Sequence, residues 1–97
     1  MRIIAKKTLR DFWIKNKDAR QPLVVWYTEA KKENWKNFND VKYFSKSASI
    51  VGNDRVVFNI KGNNYRLVVK IDFEWQVIYI KFVGTHKEYD KIDVKNI

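Results

Sequence analysis

The chain contains no cysteine, which excludes a disulfide framework, a thiolate zinc site and a thiol nucleophile. A single histidine among 97 residues leaves no multi-histidine metal centre, so neither a metal nor a cofactor is expected. No stretch approaches the roughly 20 apolar residues of a membrane span. The opening MRIIAKKTLRDFW lacks the apolar core of a secretion signal. Nothing therefore directs export, and the expected location is cytoplasmic, without a membrane partner. One proline and three glycines accompany the absence of any repeat, linker or low-complexity tract. Acid is scarce as well. Eleven Asp and Glu face twenty Lys and Arg, for a net charge of +9 and a pI near 9.8. Such a balance points to a polyanionic partner, with nucleic acid ahead of an acidic protein or an anionic surface.

Hydrophobic residues make up 45% of the chain and aromatics 15%, including four tryptophans. That is enough for one packed core, and the length leaves no material for a second, so residues 1–97 read as one domain. Arg2 to Ala5 reads as an extended edge strand. Ala5, Leu9, Phe12 and Trp13 repeat on one face of a helix from about Ala5 to Asn16. Asp18 is the expected N-cap of a second helix, with Pro22 in its first turn and Leu23, Trp26, Tyr27 and Ala30 as its apolar stripe. Asn39-Asp40 can cap a helical turn over DVKYFSK, and SASIVGND reads as the flexible connection that follows it. Near the end, Thr85 and Glu88 form a T-x-x-E start for a short helix, HKEYDKI.

Between these elements lies the most regular pattern, VVFNIKGNNYRLVVKID followed by VIYIKFVGTHKEYDKI. Gly62-Asn63 reads as a hairpin turn pairing Ile60 with Tyr65 and Asn59 with Arg66. A second turn at Glu74-Trp75 pairs Asp72 with Val77, Lys70 with Tyr79 and Val68 with Lys81. Alternation then sorts Val56, Phe58, Ile60, Tyr65, Leu67, Val69, Ile71, Ile78, Ile80 and Phe82 onto one face, suited to packing under helices. The other face collects Arg55, Lys61, Arg66, Lys70 and Lys81 against the single acid Asp72, with Asn59 and Asn64 among them. The expected architecture is α+β, with two N-terminal helices on one face of a small antiparallel sheet, the opposite face open, and a short C-terminal helix.

An open basic face ending at the only histidine suits one reaction on RNA in particular. The RNA's own 2′-hydroxyl attacks the adjacent phosphorus and expels the 5′-oxygen, so no protein nucleophile is needed. The protein must align the strand, place cations on the non-bridging oxygens and move two protons. Arg66 offers a bidentate fork, Lys61, Lys70 and Lys81 offer point charges, and His86 is the one imidazole, the side chain type suited to general acid–base work. Tyr89 lies one turn beyond His86, where it could stack on a base or assist proton transfer. The bland counterparts are a helix-capping His86, a core-closing Tyr89, and Arg66 and Lys81 merely solvating a sheet. Asp90 and Glu88 fit capping or ion pairing better than a glycosidase-type carboxylate pair.

The strings FNIKGNNYRLVVKI and YIKFVGTHKEYDKI, with the helix pair ahead of them, resemble the HigB toxins of type II toxin-antitoxin modules, within the RelE-like messenger-RNA interferases. The resemblance is specific from about Val57 to Ile92. It implies a RelE-like fold, cleavage of messenger RNA in the ribosomal A-site, and a heteromeric complex with a HigA-like helix-turn-helix antitoxin. Tyr65-Arg66-Leu67-Val68 matches the strand whose arginine contacts the scissile phosphate. His86 of Gly84-Thr85-His86 stands where RelE has a catalytic arginine. Ile92 stands opposite RelE's C-terminal catalytic tyrosine, with Tyr89 as the nearby substitute. The resemblance transfers Arg66, His86, Tyr89 and Asp90; joined with the pairing map, the expected catalytic set is Arg66, His86, Tyr89 and Lys81, with Arg55, Asn59, Lys61, Asn64, Lys70, Lys87 and Asp90 contacting RNA. Two rivals stay open: a non-catalytic RNA- or ribosome-binding module using the same face, and a structural protein for an acidic partner.

Overall fold

The computed structural model describes residues 1–97. The chain runs β1 (Arg2–Ile4), α1 (Lys6–Lys15), a 3-10 turn (Lys17–Ala19), α2 (Arg20–Lys31), α3 (Phe38–Phe44), β2 (Ser49–Gly52), β3 (Arg55–Ile60), β4 (Tyr65–Asp72), β5 (Val77–Thr85) and α4 (His86–Tyr89). The strands form one sheet in the order β1-β5-β4-β3-β2. The α+β architecture implied by the resemblance is the one observed: helices on one sheet face and a short C-terminal helix. No helix is long and apolar enough to cross a membrane.

Packing follows the expected stripes. Leu9 of α1 and Leu23, Trp26 and Ala30 of α2 are buried together with Val56, Phe58, Ile60, Tyr65, Leu67, Val69, Ile71 and Ile78 of the sheet. Phe58 is the aromatic hub. Its ring lies 5.4 Å from Trp26 and 6.3 Å from both Trp35 and Phe44. Each buried side chain of this size contributes roughly 1.5–3 kcal/mol, so removing the hub would cost more than any surface ion pair. Trp35, in the polar-looking stretch after α2, is 1% exposed and belongs to the core.

Several local expectations are corrected. The sheet has five strands and is mixed, because β1 adds parallel to β5 (Arg2 beside Val77, Ile4 beside Tyr79). The segment read as flexible is β2, an edge strand paired with β3. Its turn uses Gly52, Asn53 and Asp54 at φ of 102°, 49° and 62°, a left-handed run that Gly, Asn and Asp tolerate. Asp18 does not cap α2. Its carboxylate accepts from Lys61 Nζ at 2.7 Å and from the Tyr65 hydroxyl. Lys61 therefore leaves the basic face for the helix side, because β3 ends at Ile60 and Lys61 takes a left-handed φ of 51°. Asn37, ahead of the expected Asn39-Asp40, caps α3 through Asp40 N–H at 3.1 Å.

Register holds through both hairpins until a bulge. Ile60 pairs with Tyr65, Asn59 with Arg66, Asp72 with Val77 and Lys70 with Tyr79. Val69 then pairs with Ile80 but Val68 with Phe82, leaving Lys81 as the extra residue. Beyond the bulge the faces exchange. Phe82, expected beneath the helices, shares the far face with Val68, and Val83 packs against the core in its place.

Candidate active site

Three rows cross the sheet face away from the helices. Asn59, Arg66 and Gly84 lie side by side at one end, Val57, Val68 and Phe82 in the middle, and Arg55, Lys70 and Tyr79 at the other end. The face is not fully open, as had been expected. Val57 is 4% exposed and Val68 is fully buried. The chain beyond α4 returns to this side, where Asn53 Nδ2 donates to the Lys95 carbonyl at 3.2 Å and Arg55 Nη2 donates to the Ile97 carbonyl. This returning segment carries the half-buried Ile92, Val94 and Ile97. Arg55 is thus occupied by backbone, its Nη1 donating to the Asn53 carbonyl at 2.7 Å.

Arg66 is held at the opposite end. Its Nη1 donates to the Asn63 carbonyl at 2.9 Å and to the Tyr65 carbonyl at 3.3 Å. Those bonds use one arm of the guanidinium. The Nε–Nη2 edge, the fork that matches two phosphate oxygens, stays free. The Tyr89 ring lies 6.0 Å from the guanidinium carbon, close enough for a cation–π contact that fixes the plane of the fork. Across β5, Gly84 faces Arg66. A Cβ at Gly84 would stand 2.5 Å from Phe82 Cζ, so the Phe82 ring lies over the glycine and walls that flank.

His86 opens α4 directly beyond this row. Thr85 caps the helix as its sequence suggested: Glu88 N–H donates to Thr85 Oγ1 at 3.2 Å, and Thr85 N–H donates to Glu88 Oε1 at 2.8 Å. The Thr85 backbone N–H, seconded by its hydroxyl, holds the Glu88 carboxyl below the usual range. One turn on, Asp90 Oδ2 lies 3.1 Å from His86 Nδ1. This is an ion-pair distance without an aligned N–H···O hydrogen bond, and Nε2 has no protein partner. His86 and Asp90 remain solvent-accessible.

The expected residues thus divide. Arg66, Asn59, Tyr89, His86 and Asp90 converge at one end of the sheet. Asn59 also donates to the Ser47 carbonyl at 3.4 Å. Asn64, in the hairpin turn, and Lys87, on α4, are exposed nearby. Lys81 is exposed at the bulge, its ammonium 5.8 Å from the Tyr79 ring. It precedes Gly84 by three residues of strand, about 10 Å, and groups with Lys70 instead of Arg66. Lys61 is bound to Asp18. Gly84 and Phe82 were not anticipated. Phe82 and Val83 are both apolar, so alternation alone does not fix which of them faces the core.

The family model for the HigB toxin, described as a RelE-like toxic component of a toxin-antitoxin system, matches residues 19–92. The chain belongs to the HigB toxin family. The match takes in the hairpins, the bulge and all of α4. The mRNA interferase toxin HigB of Escherichia coli strain K12 is 32% identical over 100 aligned residues, covering 93% of this chain and 88% of that one. The mRNA interferase HigB proteins of E. coli O157:H7 and Shigella flexneri show the same identity and coverage. As a HigB-family member the chain is the toxic half of a two-component system, whose other half is an antitoxin.

Proposed function

We propose that this chain is an endoribonuclease toxin that cleaves messenger RNA on the translating ribosome in the cytoplasm, without a metal in the chemical step, and is held silent by a HigA-like helix-turn-helix antitoxin. The observation that carries the catalytic reading is the convergence of a half-occupied arginine fork, an aromatic ring against it and a histidine with a free Nε2. The interferase names of the relatives support the same activity.

In this reading the Nε–Nη2 edge of Arg66 takes the non-bridging oxygens of the scissile phosphate, where negative charge grows in the transition state. His86 Nε2 accepts the proton of the attacking 2′-hydroxyl, and the Asp90 carboxylate beside Nδ1 stabilises the imidazolium that forms. The 2′-oxygen bonds to phosphorus as the bond to the 5′-oxygen breaks, the departing oxygen takes a proton from water, and His86 returns its proton to solvent. The products are a 2′,3′-cyclic phosphate and a 5′-hydroxyl. Tyr89 fixes the plane of Arg66, while Asn59, Asn64 and Lys87 border the strand. Lys70 and Lys81, roughly 10–13 Å away along their strands, attract the backbone without touching the reacting phosphate. Few acid–base groups stand at the site, and a ribosome that positions the RNA would offset that scarcity.

Primer extension on translated and untranslated copies of one transcript tests the reading. Cuts confined to the translated copy, with 5′-hydroxyl ends, are expected. Equal cutting of both copies would refute ribosome dependence. Binding of RNA without any cutting would leave a non-catalytic module.

A further inference from the structure

The helix layer carries a feature that neither the core nor the RNA face uses. Helix α2 buries Leu23, Trp26 and Ala30, yet Val24, Thr28 and Lys31 form a second stripe at helical spacing, with Tyr27 half-buried between it and the core. With Lys6 of α1 and Lys32 they line a cleft of about 410 Å³. Its floor is apolar, from Val24 and the Tyr27 ring. Its rim is cationic. Lys6 Nζ lies 5.0 Å and Lys31 Nζ 5.8 Å from the Tyr27 ring centre. Neither lysine has a carboxylate within ion-pair distance, and Lys32 has only Glu29 at 3.8 Å. Beside the rim, Val25 is 50% exposed.

We propose that this cleft docks an acidic amphipathic helix of a protein partner, an apolar anchor entering between Val24 and Tyr27 while carboxylates one turn to either side meet Lys6, Lys31 and Lys32. Charge complementarity and the uncovered valines favour this occupant. Nucleic acid fits less well. The Tyr27 ring packs partly against the core and already has two lysines near it, which leaves little open face for a base to stack on, and a phosphate backbone gains nothing from an apolar floor. The helices cover the sheet face opposite Arg66 and His86, so an occupied cleft leaves the RNA face unobstructed. The two-component nature of the family supplies one protein partner, the antitoxin, that could carry such a segment.

The test is fluorescence polarisation with a labelled helical peptide of about 15 residues that has leucines on one face and glutamates on the other. Saturable binding is expected, weakening several-fold as salt rises toward 0.3 M or so. The paired substitution Lys6→Glu and Lys31→Glu, both at exposed positions, should weaken binding about tenfold or more with an unchanged circular dichroism spectrum. A peptide with serine in place of leucine should not bind. Failure of the acidic peptide to bind, binding indifferent to the charge reversals, or displacement by an RNA oligonucleotide of equal charge would each overturn the proposal. The double variant should also cut translated messenger RNA at the wild-type rate. A parallel loss of cutting would assign the cleft to RNA and refute docking of an acidic segment. Absence of cutting by the unsubstituted chain would instead sink the nuclease reading and leave the peptide result standing.

Discussion

Replacing Gly84 by alanine tests whether the close packing opposite Arg66 supports the site. The new methyl carbon would lie 2.5 Å from Phe82 Cζ, 3.0 Å from Phe82 Cε2 and 3.2 Å from Glu88 Oε1. Carbon atoms settle at about 3.5–4.0 Å, so the ring must retreat by about 1 Å. Phe82 is half-buried beside the fully buried Val68, so it can swing outward at the cost of uncovering that row. An overpacking penalty of this kind runs about 1–3 kcal/mol, and the mobile ring places the expected loss near 1 kcal/mol. Such a loss lowers the melting temperature by about 4–8 °C. Activity should suffer more than stability, because Glu88 Oε1 also accepts Thr85 N–H at 2.8 Å and so caps the four-residue helix bearing His86 and Tyr89. We expect at least a tenfold drop in cleavage at a temperature where the variant is fully folded. Adding Phe82→Leu should restore much of both, a coupling that a double-mutant cycle reads directly. Wild-type melting and cleavage by Gly84→Ala alone, or no recovery in the double variant, would refute the argument.

Arg66→Ala should remain folded and lose about 10²- to 10³-fold in cleavage, with Arg66→Lys recovering little because the fork is lost; single-turnover assays with circular dichroism decide it. His86→Gln keeps size and polarity but cannot titrate, whereas His86→Arg supplies charge. Loss of roughly 10²- to 10⁴-fold in both marks proton transfer, and a near-normal Arg variant would replace that role with charge stabilisation. Tyr89→Phe should cleave within a few-fold of wild type and Tyr89→Ala far more slowly if the ring serves to orient Arg66; equal losses would assign the hydroxyl a chemical part. Glu88, whose carboxyl is held low in the folded state, contributes stability that is complete above about pH 5 and is lost as pH falls through its lowered value. Thermal melts should accordingly separate wild type from Glu88→Gln at neutral pH and converge in acid; a constant gap would refute the capping account.

What could be read from the residues was local. Period-two alternation with turn residues at Gly62 and Glu74 specified the pairing of Asn59 with Arg66 and of Lys70 with Tyr79, and T-x-x-E specified the start of α4. What escaped was set at long range. The ties from Asp18 to Lys61 and Tyr65, from Asn53 to Lys95, and from β1 to β5 join residues far apart in the chain. No periodicity encodes such contacts. The returning C-terminal segment left only a faint trace, the spaced apolar residues Ile92, Val94 and Ile97. For that reason the basic face appeared open from end to end, with Arg55 and Lys61 expected to contact RNA alongside Arg66. In the fold the first meets backbone, the second meets Asp18, and only the third keeps a free fork beside the histidine.

The bulge at Lys81 explains why that fork survives. Under unbroken alternation Val68 would pair with Lys81 and Arg66 would face Val83, a β-branched side chain directly beside the guanidinium. The extra residue advances β5 by one position, so Gly84 faces Arg66 and Val83 turns into the core. The glycine admits the Phe82 ring across the strand, and Tyr89 closes on the guanidinium from α4. An irregularity in one strand therefore meets two demands that strict pairing sets against each other: an apolar residue beneath the helices, and a smooth, side-chain-free neighbour for the arginine. Bulges occur at sites where a strand must re-aim its side chains. Deleting Lys81 removes the extra residue while leaving Val69 beside Ile80, Val68 beside Phe82 and Gly84 beside Arg66, so the deletion variant is expected to fold with a regular β5 and to retain most of its cleavage. Loss of cleavage in a folded deletion variant, measured in the same single-turnover assay, would show that the bulge itself supports the site and not only the glycine it brings opposite Arg66.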